Sequence, residues 1–224
     1  MREKIRPLLT FGLSTHNYDT TNEADTLDCD AALSQIVNES LLLRTEREWE
    51  APAFMINFWR SAIRQQFHAA IDMLANAVEA CPDSLWLWSG QAPRAFWYLG
   101  FHTLFFLDLY LSECEESRFH PPPPFGLTEL APGSVPPERA YGKDELLGYL
   151  EHCRKKLDAV MAGMTEAWVA SPCPFDYRAM SNGELLLYNM RHVQHHAAQL
   201  NMRLRQQTDS APKWVSKGGQ KIKA

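Results

Sequence analysis

From Ser181 to Gln207, apolar residues recur at steps of three and four: Leu186, Met190, Val193, Ala197, Leu200 and Leu204. That is the period of a helix with one buried face. Ser181-Asn182-Gly183-Glu184 has the Ser-x-x-Glu form of a capping box, which fixes where the helix begins. A second stripe, Phe58, Ala62, Ile63, Phe67, Ala70, Ile71, Leu74 and Val78, predicts a helix over about 56–80. Cys81-Pro82 ends it, because the residue before proline avoids the helical region. Ala95 to Leu111 is apolar nearly all round and predicts a buried helix over about 93–114, with Pro93 suited to its first turn. Leu146, Leu147, Leu150, Leu157, Val160, Met161 and Met164 predict another over about 143–168.

Ser117 to Gly142 breaks the pattern. It holds seven prolines, with Pro121 to Pro124 in a row, a composition that favours extended polyproline. The segment is long for a helix connection. It can cross the length of a twenty-residue helix, about 30 Å, so the helices on either side can run parallel. Four amphipathic helices without a convincing strand imply an all-α four-helix bundle with a long Pro-rich crossover between helices 2 and 3. The bundle is expected over 55–207. Residues 1–54 read as a poorly ordered or loosely docked extension, in which 33–47 carries a weaker helical stripe. Met55 reads as a second start of translation. Residues 208–224 read as a basic tail, with Pro212 and Gly218-Gly219 marking where structure gives out.

Charge sharpens this division. Residues 1–54 hold five basic and ten acidic side chains, which accounts for the whole formal charge of −5. The tail carries Lys213, Lys217, Lys221 and Lys223 and no acid. No basic surface interleaved with aromatic residues argues for nucleic acid. The longest apolar run contains His102 and Asp108 and reads as a buried helix rather than a membrane span. Five cysteines with no Cys-x-x-Cys pair, and no signal peptide, favour a reducing, cytoplasmic setting.

Chemistry concentrates in the histidines. His192 and His196, four apart on one helix, stack their imidazoles on one side, where two such rings can bind one divalent ion. The alternative is two polar residues on a solvated face. His102 stands in the middle of the apolar helix. A buried neutral imidazole needs a partner for its ring nitrogens. That partner is either an ion shared with His192 and His196, or a backbone carbonyl or tyrosine. Relative to His192, His196 is turned by about +40° and His195 by about −60°. The smaller rotation favours His196 as the second ligand. His68 reads as a partly exposed polar residue. Tyr98, Tyr188 and Gln199 share helix faces with these histidines and are candidates to support the site or to contact substrate; the alternative is that they are packing or surface residues.

The chain resembles the DinB/YfiT-like superfamily of metalloenzymes over about 55–207. The resemblance rests on Trp86 to Leu111, a tryptophan-containing lead into an apolar helix with one central His. It rests also on Lys143-Asp144-Glu145-Leu146-Leu147-Gly148-Tyr149-Leu150, and on His192-Val193-Gln194-His195-His196-Ala197-Ala198-Gln199-Leu200. It implies a divalent metal ion, usually nickel or zinc, on His102, His192 and His196. It also implies a small-molecule substrate, since some relatives transfer low-molecular-weight thiols to electrophiles. Relatives often have Gly where this chain has Ala198, a position that bears on how closely another helix or a second subunit of a homodimer can approach. The expected activity is thiol transfer or hydrolysis; the rival expectation is a non-catalytic metal- or ligand-binding module.

Overall fold

The computed structural model describes the backbone of residues 26–88, 94–131 and 136–218, and side chains chiefly from residue 54 onward. The expectations for the first 25 residues, for Pro93, for Gly219, Lys221 and Lys223, and for the side chain of Cys29 lie outside these. Among the described residues there are six α-helices: α1 Thr26–Ala80, α2 Asp83–Trp86, α3 Phe96–Tyr110, α4 Lys143–Gly163, α5 Glu166–Ala170 and α6 Asn182–Thr208. Among the described residues there is no strand, only an isolated bridge between Pro172 and Ser181. The chain divides into two compact units, Met1–Ala51 and Pro52–Ala224. In the first, the backbone is helical from Thr26, well before the start expected near residue 56. Runs of good helix formers such as Glu46-Arg47-Glu48 sustain a helix even where the apolar stripe is weak.

In the second unit, residue pairs give the helix directions. Gly100 lies against Leu146, the Cys153 thiol reaches the Leu104 carbonyl, and the Lys156 ammonium reaches Asp108. Numbers rise together, so α3 and α4 run parallel. On the other side, His102 meets His196, Phe106 meets His192 and Tyr110 meets Tyr188. There one number falls as the other rises, so α3 and α6 are antiparallel. Arg60 to Met164, Arg64 to Asp158 and Asp72 to Arg154 make α1 and α4 antiparallel. The central helix of this arrangement is α3, whose apolar sequence faces neighbours on nearly every side.

Asp108 explains how a charge is accommodated there. Its carboxylate is wholly buried, accepting from the Lys156 ammonium at 2.6 Å and from the Tyr149 hydroxyl at 3.0 Å. A buried carboxylate without such partners would be strongly destabilising.

Three local departures from the sequence reading have physical causes. The helix expected over 143–168 is two. It stops at Gly163, Met164 takes an extended backbone, and the Thr165 hydroxyl caps a new helix by accepting from Trp168 N. Pro121 to Pro124 is not a continuous polyproline rod. Phe125 N donates to the Pro122 carbonyl, closing a turn that sends Phe125 into the core against Tyr149, 4.3 Å between ring centroids. The C-terminal segment continues in place past Pro212. Val215 is buried, and Gly218 N donates to the Gln65 carbonyl on α1. The capping box read at Ser181 is formed as expected: Ser181 Oγ accepts from Glu184 N, and the Glu184 carboxylate accepts from Ser181 N.

Candidate metal centre

α3 contributes His102, and α6 contributes His192 and His196. Ring centroids lie 5.4 Å apart for His102 and His192, 5.0 Å for His102 and His196, and 4.5 Å for His192 and His196. One ligating nitrogen from each lies within 4.8 Å of the others. The antiparallel register of α3 and α6 makes this convergence. The four-residue spacing on α6 puts two rings on one side, and α3 faces them with one. All three side chains are half-buried. Phe106 packs edge-on against His102 and His192 at 4.9 and 5.8 Å, supplying an apolar wall.

The second nitrogen of each ring tells which atom is free. His102 Nδ1 donates to the Glu129 carboxylate at 2.7 Å, which leaves His102 Nε2 with its lone pair. His196 Nδ1 donates to Gln199 Oε1 at 2.8 Å, and Gln199 Nε2 donates onward to His195 Nε2 at 3.0 Å. His196 Nε2 therefore also carries a lone pair, and it faces His192 Nε2 at 3.1 Å. That contact is closed either by a proton on His192 or by a cation between the rings. Two imidazole nitrogens bound to one ion at about 2.0–2.1 Å stand roughly 3 Å apart. His192 Nδ1 is buried without a partner among the described residues, so the hydrogen-bond contact of this ring is at Nε2, with His196. On donor chemistry and spacing, the three histidines fit a divalent ion.

The environment favours the neutral form of the two α6 imidazoles. Burial, then the neighbouring His196, His102 and His195 and the Arg178 guanidinium, push His192 down to about 3. Burial pushes His196 down to about 4, with His102 and His195 adding to the fall and the Gln199 bond opposing it. Neutral imidazole is the form that ligates a metal.

Glu129 was not among the residues singled out from sequence. It belongs to the crossover, in a short 3-10 turn spanning Thr128–Leu130, and its side chain is only 3% exposed. A carboxylate on the far nitrogen of a ligating histidine fixes the tautomer and raises the basicity of the ring. Against burial, hydrogen bonds from His102 and Tyr98 and the charges of His102 and Arg94 hold the Glu129 carboxyl below its ordinary value. An acid in an aperiodic loop leaves no spacing signal by which sequence could have found it.

The remaining expected residues have distinct places. Tyr98 interacts with Glu129, its phenol pushed up to about 12 chiefly by burial and then by that carboxylate. Gln199 links His196 to His195. Tyr188 lies outside the triad, its ring 4.4 Å beneath the Arg178 guanidinium. His195 is exposed and bonded to Gln199. His68 is buried instead of partly exposed, bonded through Nε2 to Asp158 at 2.7 Å, because α4 and the C-terminal segment both cover that part of α1. It lies away from the triad and is not brought to it.

A family model described as the DinB superfamily matches residues 66–200, well over half of the chain. The chain belongs to the DinB superfamily. A comparison with curated proteins finds no match. Within this DinB bundle the matched span includes all three clustered histidines and Glu129. No helix among the described residues is long and apolar enough to cross a membrane.

Proposed function

We propose that this DinB protein holds a divalent ion, nickel or zinc, on His102, His192 and His196, and that it is a cytoplasmic enzyme of thiol-transferase or hydrolase type acting on a small molecule. The observation that carries the reading is the convergence of three imidazoles from two helices, two of them with their other nitrogen committed to Glu129 and Gln199.

An ion on three protein ligands keeps open positions and acts as a Lewis acid, lowering the proton affinity of a bound water or thiol. The protein's own contribution is to hold His102 and His196 as Nδ1-protonated tautomers, to keep water from His102 and His192 along the Phe106 side, and to leave one side open. Beside His192 lies a cavity of about 510 Å³, lined among the described residues by Tyr188, Arg191, His192, Gln194, His195 and Ala198. Protein thiols do not compete for the role of nucleophile in two cases. Burial pushes Cys81 up to about 11, and Cys153, fully enclosed, well above its ordinary value. An external thiol is then the natural reactant for thiol transfer.

The test uses untagged protein. Metal analysis should return one divalent ion per chain. Glutathione, bacillithiol or mycothiol added to a cobalt-substituted sample should give a sulfur-to-metal charge-transfer band. An ion bound without that band for any of the three removes thiol transfer and leaves hydrolysis or ligand binding. Absence of any stoichiometric ion removes the metal reading altogether.

A further inference from the structure

The cavity beside His192 has an unusual charge environment. None of its lining residues among those described is an acid. Along α6, no Asp or Glu occurs from Leu185 to Thr208, while Arg191, Arg203 and Arg205 do. Arg191 lies on the cavity wall and is exposed. Its helical neighbours at three and four positions are Leu187, Tyr188, Gln194 and His195, so no carboxylate on its own helix is placed to neutralise it.

A second cation stands behind Tyr188. The Arg178 guanidinium lies over the rings of Tyr188, Tyr110 and Tyr177 at 4.4, 5.0 and 5.2 Å. It donates to the Tyr110 oxygen at 2.6 Å. Its Nε is buried without a partner, and no carboxylate among the described residues pairs with it. The acid nearest in this network, Glu116, accepts from Tyr177 instead. Aromatic faces stabilise a guanidinium only partly, so its charge extends outward. Tyr188 lines the cavity with Arg191, one turn away on α6, so its hydroxyl is a donor on the same wall.

We infer that this cavity receives a carboxylate of the substrate, held by the Tyr188 hydroxyl and the Arg191 guanidinium, with Arg178 behind Tyr188 setting the preference for a negative group. The planar fork of Arg191 and a single hydroxyl suit the two oxygens of a carboxylate. The inference deepens the proposed function and rests on it, since it names the class of substrate that the histidine cluster would act on: a small molecule bearing a carboxylate near its reacting atom.

The experiment compares benzoate with benzamide, alike in shape but not in charge, by protein-observed NMR titration of the full chain loaded with zinc. Benzoate should bind on the order of tenfold more tightly, the value of a charge-assisted hydrogen bond. Arg191→Gln and Tyr188→Phe should each lower benzoate affinity by about tenfold, leave benzamide unchanged and keep one zinc per chain. Arg191→Lys, which retains charge without the fork, should fall between. Equal affinity for the two probes, or benzoate binding untouched by Arg191→Gln with zinc in place, overturns the inference. If the chain takes up no zinc, the metal reading fails by itself. The same titration on the zinc-free chain then decides the carboxylate subsite: a benzoate preference sensitive to Arg191→Gln supports it, and its absence removes it.

Discussion

The Glu129 carboxylate and the His102 ring lie 27 positions apart in sequence and 2.7 Å apart in space. The pairing ties the crossover to the histidine cluster. Phe125, four residues earlier, is anchored between Tyr149 and Phe101, so the turn that carries Glu129 is positioned by core packing. The crossover that lets α3 and α4 run parallel thereby also supplies the group that orients a candidate ligand.

Glu129 should therefore matter to ion affinity more than to fold. Glu129→Gln is expected to weaken zinc or nickel binding by about 10–100-fold, with helix content unchanged by circular dichroism. Competition titration with a chelator measures it. Wild-type affinity in Glu129→Gln would mean that His102 needs no carboxylate to present its nitrogen.

The three histidines and their neighbour separate cleanly. Replacing His102, His192 or His196 with Ala should each abolish stoichiometric ion. His195→Ala should cost at most the roughly 10–100-fold of a supporting residue, because His195 Nε2 is bonded to Gln199 rather than directed at the triad. Metal analysis of the four variants decides this. An empty site in His195→Ala beside a full one in His196→Ala would assign the ligand to the wrong turn of α6.

Much of this centre could be read from sequence because helical periodicity carries it. Four-residue spacing fixes that His192 and His196 stack, and the apolar run around His102 fixes that α3 is covered on most sides. Glu129 and Arg178 could not be read, since both lie in irregular segments where position depends on tertiary packing. The break at Met164-Thr165 was hidden because Met164 continues the apolar stripe although its backbone leaves the helix. The buried Asp108 was visible only as an anomaly until Tyr149 and Lys156 were placed against it.

Acidity should destabilise the metal-free protein in a defined window. His192 and His196 are pushed down to about 3 and about 4 from an ordinary 6.5. Between pH 6.5 and about 4 the unfolded chain binds protons that the folded chain refuses. Stability is then full above about 6.5 and declines as pH falls. The lowered carboxyls of Glu129 and Asp158 add their own loss only below their ordinary carboxylate range. Free imidazole would release an ion near pH 6; this shielded pair should hold it to lower pH. Melting curves of metal-free protein at several pH values between 7 and 5 should shift downward, and His192→Asn should flatten the trend. A melt that does not move over this interval contradicts the shielding.

The C-terminal segment should contribute measurably to the stability of the bundle. A Cβ on Gly218 would stand 2.3 Å from His68 Cβ and 2.8 Å from both Ala69 N and the Gln65 carbonyl oxygen. Those are atoms that cannot swing aside. Gly218→Ala is expected to undock the segment, cost on the order of 1–3 kcal/mol and expose Val215, which is otherwise buried. Denaturant unfolding gives the cost, and faster proteolysis after Thr208 reports the release. Wild-type stability with intact protease resistance would show that the contact relaxes without loss.

The N-terminal boundary can be tested by removal. The buried core residues of the described chain begin at Phe67 and end at Val215, all inside the compact unit Pro52–Ala224. The candidate ligands and Glu129 lie there as well, and the acidic excess of the chain lies before it. A protein starting at Met55 is therefore expected to keep a single cooperative melt and its bound ion. It should lose only the part of α1 that precedes the stripe beginning at Phe58. Calorimetry beside metal analysis provides the comparison. Insoluble expression, or a melting temperature lower by more than about 8 °C, the most that about 2 kcal/mol produces in a domain of this size, would show that residues before Met55 pack against the bundle and complete it.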